Sequence, residues 1–245
     1  MTASFAYTRF EFRRVLRSRR FLFLALGFPV ALYFAIAGPN RHVHDVGSTG
    51  LSLPLYYMVG LAAFGTMNAM MSTGARIASE RAVGWNRQLR ITPLSTRDYF
   101  RAKVATGYMM ALLTLAALYL AGGALGVSIP AGDWARMTIY LLIGLIPFAA
   151  IGILLGHLLT PDSIGPALGG STAFFAFLGG SWFPITSGAL HDIAQVLPSY
   201  WLVQAAHIGV GGGGWGARGW IVVVAWTVVV AALARRAYRR DTKRV

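Results

Sequence analysis

The chain has 245 residues, of which 56% are hydrophobic and only 12% charged, and its formal net charge is +14. That balance lies outside the range of ordinary soluble domains and makes the lipid bilayer the expected solvent. The absence of cysteine excludes disulfides, thiol catalysis and zinc–thiolate sites.

Residues 1–20 are predicted to form an amphipathic helix, with Phe5, Phe12 and Leu16 on one side and Arg9, Arg13, Arg17 and Arg20 on the neighbouring face. Such a helix lies on a membrane surface with its arginines at anionic headgroups. The same arginines also suffice as a flank that sets topology, and both readings stand.

Uncharged apolar stretches follow at 21–37, 51–73, 104–127, 137–159 and 164–183, each near the length needed to cross a bilayer as a helix. A sixth, 215–234, reaches full length if Arg218 snorkels to the interface. With no small-residue cleavage site after Ala37, the first stretch reads as a retained anchor. Of the 22 basic residues, 19 fall in residues 1–20, in 76–103 and in the tail 235–245. The alternate loops hold only Arg41, Arg136 and Arg218. Charge placed in this way argues against nucleic acid and, by the positive-inside rule, puts both termini in the cytosol. The predicted fold is an all-α integral membrane protein with six transmembrane helices and an N-in/C-in topology.

In the first outer loop, His42, His44 and Asp45 have ligand-type side chains at close spacing but no obvious fourth partner for a metal. The longest cytosolic segment carries Ala78, Ala82, Trp85 and Leu89 at helical spacing, which predicts an apolar face in search of a cover. A soluble partner or the lipid surface would bury that face equally well. Thr92-Pro93 stops this helix, and Ser95 with Asp98 predicts a capping box that starts the next one.

The last outer loop, 184–214, is too apolar for an ordinary solvated loop. Short re-entrant helices broken at Pro184 and Pro198 are expected there, forming an outer cap. The glycines at 211–214 lack the Lys-Ser or Lys-Thr of a phosphate loop, so no ATP site is expected in this chain. Ser181 invites comparison with an intramembrane serine nucleophile using His157 or His207 as base, although a serine in a glycine-rich span more often serves helix packing. Glycines four apart (Gly122 and Gly126, Gly152 and Gly156, Gly165 and Gly169) allow close helix approach.

The run Glu80-Arg81-Ala82-Val83-Gly84 followed by Thr92-Pro93-Leu94-Ser95 resembles the loop after span 2 in permease subunits of type-2 ABC exporters, of the multidrug-efflux kind. A second likeness is Gly180-Ser181-Trp182-Phe183-Pro184 with Leu197-Pro198-Ser199-Tyr200-Trp201. The resemblance extends over nearly the whole chain. It implies a coupling helix within 76–93, in which Glu80, Arg81, Gly84, Trp85, Arg87, Leu89, Arg90, Thr92 and Pro93 would engage a separate ATP-binding subunit. ATP and magnesium would be held by that subunit, and no cofactor by this chain.

The resemblance further implies a bacterial inner-membrane transporter built from two permeases, a homodimer or a pair of paralogues. The path for a small amphipathic or drug-like substrate would be lined from spans 2 and 5 by Met67, Asn68, Met70, Met71, Phe174, Phe175, Phe177 and Trp182. Export of lipid, polysaccharide or peptide uses the same architecture. A serine hydrolase and a non-transporting anchor or sensor are the readings of other classes.

Overall fold

The computed structural model describes residues 3–18, 22–85, 88, 91–210 and 212–243, and all regular structure among them is helical. The first helix, α1 (Ala3–Leu16), ends with Arg13 and Arg14 in its last turn, where cations complement the negative end of the helix dipole. A single π-helical turn, Phe23–Gly27, leads into α2 (Phe28–Ala37). Pro29 accounts for that turn. It has no N–H to return to residue 25, so the ladder loosens and the Phe28 N–H reaches back to the Phe23 carbonyl. Thr114 Oγ1 donates to the Ala25 carbonyl at 3.4 Å.

α3 (Leu53–Met71) starts on Pro54 and passes through a break at Ser72 into α4 (Thr73–Ala82). The remaining helices are α5 (Thr96–Ala124), α6 (Ala131–Gly144), α7 (Ile146–Leu158), α8 (Pro161–Leu178), α9 (Gly188–Ala194), α10 (Pro198–Gln204) and α11 (Ala217–Lys243), with a 3-10 turn at Ala205–Val210. Ser95 caps α5 as its sequence predicts: its Oγ accepts from the Asp98 N–H at 3.1 Å and donates to Asp98 Oδ2 at 2.7 Å.

Helices stand at each of the six apolar stretches. Among the described residues three are long and apolar enough to cross a membrane: Thr96–Ala124, Ala131–Leu158 and Ala217–Asp241. The second of these joins α6 and α7 through a bend at Leu145, just before Pro147. α3 is not of that kind, and its position explains why. It is the axis of the bundle, with Met58, Leu61, Met67, Met70 and Met71 buried and α2, α5, α7 and α8 packed around it. A helix enclosed by protein can be less apolar than a lipid-facing one, and the buried Thr66 hydroxyl donates to the Ala62 carbonyl at 2.6 Å.

α4 and α7 approach more closely than side chains would allow. A Cβ on Gly74 would stand 2.2 Å from the Gly152 carbonyl oxygen, and one on Gly156 would stand 2.8 Å from that of Gly74. Gly122 is likewise closed in by Met58 and Tyr33, whereas Gly165 and Gly169 have nothing within 4 Å. Of the three glycine pairs of the sequence, Gly152 and Gly156 both serve packing within the chain, Gly122 does so without Gly126, which has nothing within 4 Å, and the third pair lies open on α8. At the end remote from the basic segments, α9, α10 and the 3-10 turn form a cap that buries Ala194, Leu202, Val203 and Ile208.

Candidate functional site

The site is built at the basic end of the bundle around two neighbours on α4, Glu80 and Arg81. Successive helical residues point about 100° apart, so the pair faces two flanks of the bundle. On the first flank Glu80 is almost fully buried. Its Oε1 accepts from Lys103 Nζ at 2.5 Å and from Arg14 Nη1 at 2.8 Å, and its Oε2 from the Tyr99 hydroxyl at 2.7 Å. Lys103 is 0% exposed and also pairs with the buried Glu11, whose Oε2 is 3.0 Å away. The Lys103 ammonium lies 5.1 Å from the centroid of the Tyr99 ring and 5.9 Å from that of Tyr7.

Arg76, one turn before Glu80, completes the cluster with its Nε and one terminal nitrogen buried. Burial lowers the pKa of Arg76, and the carboxylates of Glu11 and Glu80 work against that shift. Burial, then the charge of Glu80, raises the Tyr99 phenol, so Tyr99 remains a proton donor to Glu80. Both glutamates of the chain and one of its two lysines therefore meet in a single buried hub joining α1, α4 and α5.

On the second flank Arg81 Nε pairs with Asp241 Oδ2 at 2.8 Å. Its Nη1 donates to the carbonyl oxygens of Gly156 at 2.7 Å and Leu159 at 3.2 Å, capping the end of α7. His157 Nδ1 lies 3.1 Å from the same Asp241 oxygen. Phe100 and Tyr238 pack edge-on against the His157 ring, with centroids 5.9 and 5.3 Å away. The result is a latch joining α4, α7 and α11. The basic tail is thus a continuation of α11 in which one acidic residue, Asp241, is tied to the loop.

The expected face of Ala78, Ala82, Trp85 and Leu89 does not form as one helix. α4 ends at Ala82, Val83 is 75% exposed, and Gly84 takes a φ of 70° while its N–H bonds back to the Arg81 carbonyl. Only glycine adopts that backbone readily, so the helix stops seven residues short of Leu89, where the periodicity ends. Ala78 is buried against the bundle while Ala82 is exposed. Trp85 and Gln88 return to helical geometry, Thr92 and Pro93 are exposed, and Arg87, Leu89 and Arg90 lie outside the described residues.

The residues expected along a substrate path separate into two sets. Met67, Met70 and Met71 are fully buried in the core, and Phe175 packs inward against Phe148 at 5.2 Å and Trp226 at 5.8 Å. Phe174 and Phe177 are 52% and 54% exposed on the outer side of α8. Asn68 is half-buried on the outward side of α3, and one turn earlier Phe64 meets Trp182 at 5.3 Å. Phe64 and Phe28, whose rings are 6.4 Å apart, belong to this outward surface and were not singled out by the sequence.

Ser181 is fully buried and its Oγ has no hydrogen-bond partner, so the pairing with His207 that a nucleophile would need is not formed. His157, the other suggested base, is engaged by Asp241 at the basic end. His42, His44 and Asp45 are exposed, and among the described residues no group of three or more acidic or histidine side chains is placed to hold a metal ion.

An all-helical chain with long apolar helices, one strongly basic end and a charge hub at that end has the build of a membrane permease. Residues 42–236 match the family described as ABC-2 family transporter protein, and the chain belongs to that family. It is also similar to the "Putative transport permease YvfS" of Bacillus subtilis (strain 168), with 26% identity over 239 residues covering 94% of this chain and 95% of the relative. The protein is therefore a membrane transport permease of the ABC-2 class.

Proposed function

We propose that this permease is the membrane half of an ATP-driven exporter, crossing the bilayer six times with both termini in the cytosol. A separate ATP-binding subunit docks on the loop 76–93 and supplies the ATP and magnesium chemistry. The single observation that carries this reading is the division of Glu80 and Arg81 between hub and latch. Through that pair, a displacement of the loop at Trp85 and beyond is transmitted to α1, α5, α7 and α11 together.

Two permeases pair across the open sides of α8, where Gly165 and Gly169 permit close approach and Phe174, Phe177, Phe64 and Trp182 offer an apolar lining. Asn68 is the polar group on that lining. Small amphipathic substrates suit such a surface better than a highly charged polymer does.

The test is co-purification of the permease with an ATP-binding subunit, followed by substrate-stimulated ATPase in liposomes. Trp85→Ala and Leu89→Asp are expected to abolish coupled ATPase while membrane insertion is retained. Asn68→Leu is expected to change stimulation by amphipathic substrates and leave basal hydrolysis intact. Full coupled activity in both loop variants would sink the docking assignment. Stimulation by a lipid, polysaccharide or peptide alone would redirect the substrate class.

A further inference from the structure

We propose that a groove at the basic end, on the outer side of the α5–α7–α11 corner, is a binding site for one anionic phospholipid of the adjoining leaflet. The groove has a volume of about 390 Å³ and is floored by Phe100, Ala150, Ile153, Ala231 and Ala234. It runs into a shallower hollow of about 620 Å³ that shares Phe100 and Arg97 and continues along Val104 to Tyr108. The floor is thus apolar and long, and the charge is confined to the mouth.

Arg97 on α5 and Arg235 and Arg239, one turn apart on α11, all line the groove, and Arg101, one turn beyond Arg97, lines the adjoining hollow. Like charges gathered on one groove repel, and an anion between Arg97 and Arg235 relieves that repulsion. Among the described residues Arg97 and Arg235 have no ion-pair partner, and both are exposed. Arg101 has only a loose contact with Asp98 at 3.8 Å. The planar guanidinium matches a phosphate in two-pronged fashion, which an ammonium cannot do.

The chemistry of the two parts selects the occupant. A free phosphate or nucleotide would leave the apolar floor bare, and a peptide would bring backbone polar groups against it without partners. A zwitterionic lipid fills the floor and leaves the arginines poorly neutralised. A diacyl lipid with a net negative headgroup satisfies both, with a chain along Phe100 and Ile153 and its phosphate between Arg97 and Arg235.

Its position carries a consequence. Phe100 and Tyr238, which pack on the His157 ring of the Arg81–Asp241–His157 latch, also line the groove. A bound lipid therefore braces α11 against α5 where the latch ties it to the loop.

The inference rests on the topology proposed above, in which this end meets the cytosolic leaflet. Its test is native mass spectrometry of the full-length permease released from detergent after incubation with phosphatidylglycerol or phosphatidylcholine of the same acyl chains, with inorganic phosphate as a third probe. The expected result is retained phosphatidylglycerol, and on the order of tenfold or greater loss of that preference in Arg97→Gln/Arg235→Gln. Ala231→Trp, which fills the groove from an exposed position, is expected to remove the bound lipid while melting temperature in lipid-free detergent stays unchanged. Equal retention of the two lipids, retention untouched by both variants, or competition by inorganic phosphate alone would overturn the site. A separate readout covers the topology: Val83→Cys, the only thiol in that variant, should react with an impermeant reagent in inside-out vesicles only. Labelling in right-side-out vesicles would overturn the topology itself and with it this site.

Discussion

Lys103→Met removes the one ammonium shared by both buried glutamates. Replacing every member of a buried ion cluster with apolar groups can be neutral, but deleting a single member strands a charge and costs about 3–5 kcal/mol. Arg14 lies 2.8 Å from Glu80 and 3.6 Å from Glu11, so Glu80 keeps a close partner while Glu11 loses its only one within 3 Å. At roughly 2–4 °C per kcal/mol for a chain of this size, the melting temperature in detergent should fall by about 6–20 °C. If the stranded Glu11 carboxylate is the cause, Lys103→Met/Glu11→Gln should recover part of the loss, with a coupling of about 1–3 kcal/mol. The assay is a thermal melt followed by size-exclusion fluorescence for wild type, both single variants and the double. A single variant that melts within about 2 °C of wild type, or a double whose loss is simply additive, would refute the hub as a coupled buried cluster.

Other expectations follow from the same contacts. Arg81→Ala removes the Asp241 ion pair and both caps on the α7 carbonyls, so trypsin should trim the Arg235–Arg240 region faster while α1 remains protected. Gly74→Val should cost about 1–3 kcal/mol or more, because its Cβ would press on the Gly152 carbonyl, and a drop in melting temperature and yield would register it. Gly123→Ala is the control: nothing lies within 4 Å of that position in the last turn of α5, and the melting temperature should stay within about 2 °C of wild type.

Much of the fold was legible because the signals are local. Apolar runs, Pro54 at a helix start and the Ser95–Asp98 cap are written in adjacent residues. The charge hub was less visible. Glu11 sits 69 residues from Glu80 in a segment dominated by arginines, and nothing in its spacing announces a partner on α5. The available clue was scarcity, since the chain has only two glutamates, and a lone acid among six arginines has a reason to be there. The apolar face of the loop was over-extended for the opposite reason. Apolar spacing carried through residue 84, where a backbone requirement particular to glycine overrode it. Likewise, Met67, Met70 and Met71 share a helix with Asn68 but not its outward side, a distinction that depends on which neighbours surround α3.

The hub and the latch differ in a way that bears on how the loop could move. Lys103, Glu11 and Glu80 are between 0% and 4% exposed, whereas Arg81 and Asp241 are 24% and 23% exposed at the side chain. Salt screens the partly wet pair much more than the dry one. Raising ionic strength from low to molar should therefore loosen α11 from α4 before it disturbs α1, seen as faster amide exchange at 235–243 with unchanged exchange at 5–15. Simultaneous loosening of both ends would mean that the two networks open as one unit. Separate opening leaves α4 anchored to α1 and α5 through Glu80, so the loop would pivot on the hub while the α7 and α11 side is released.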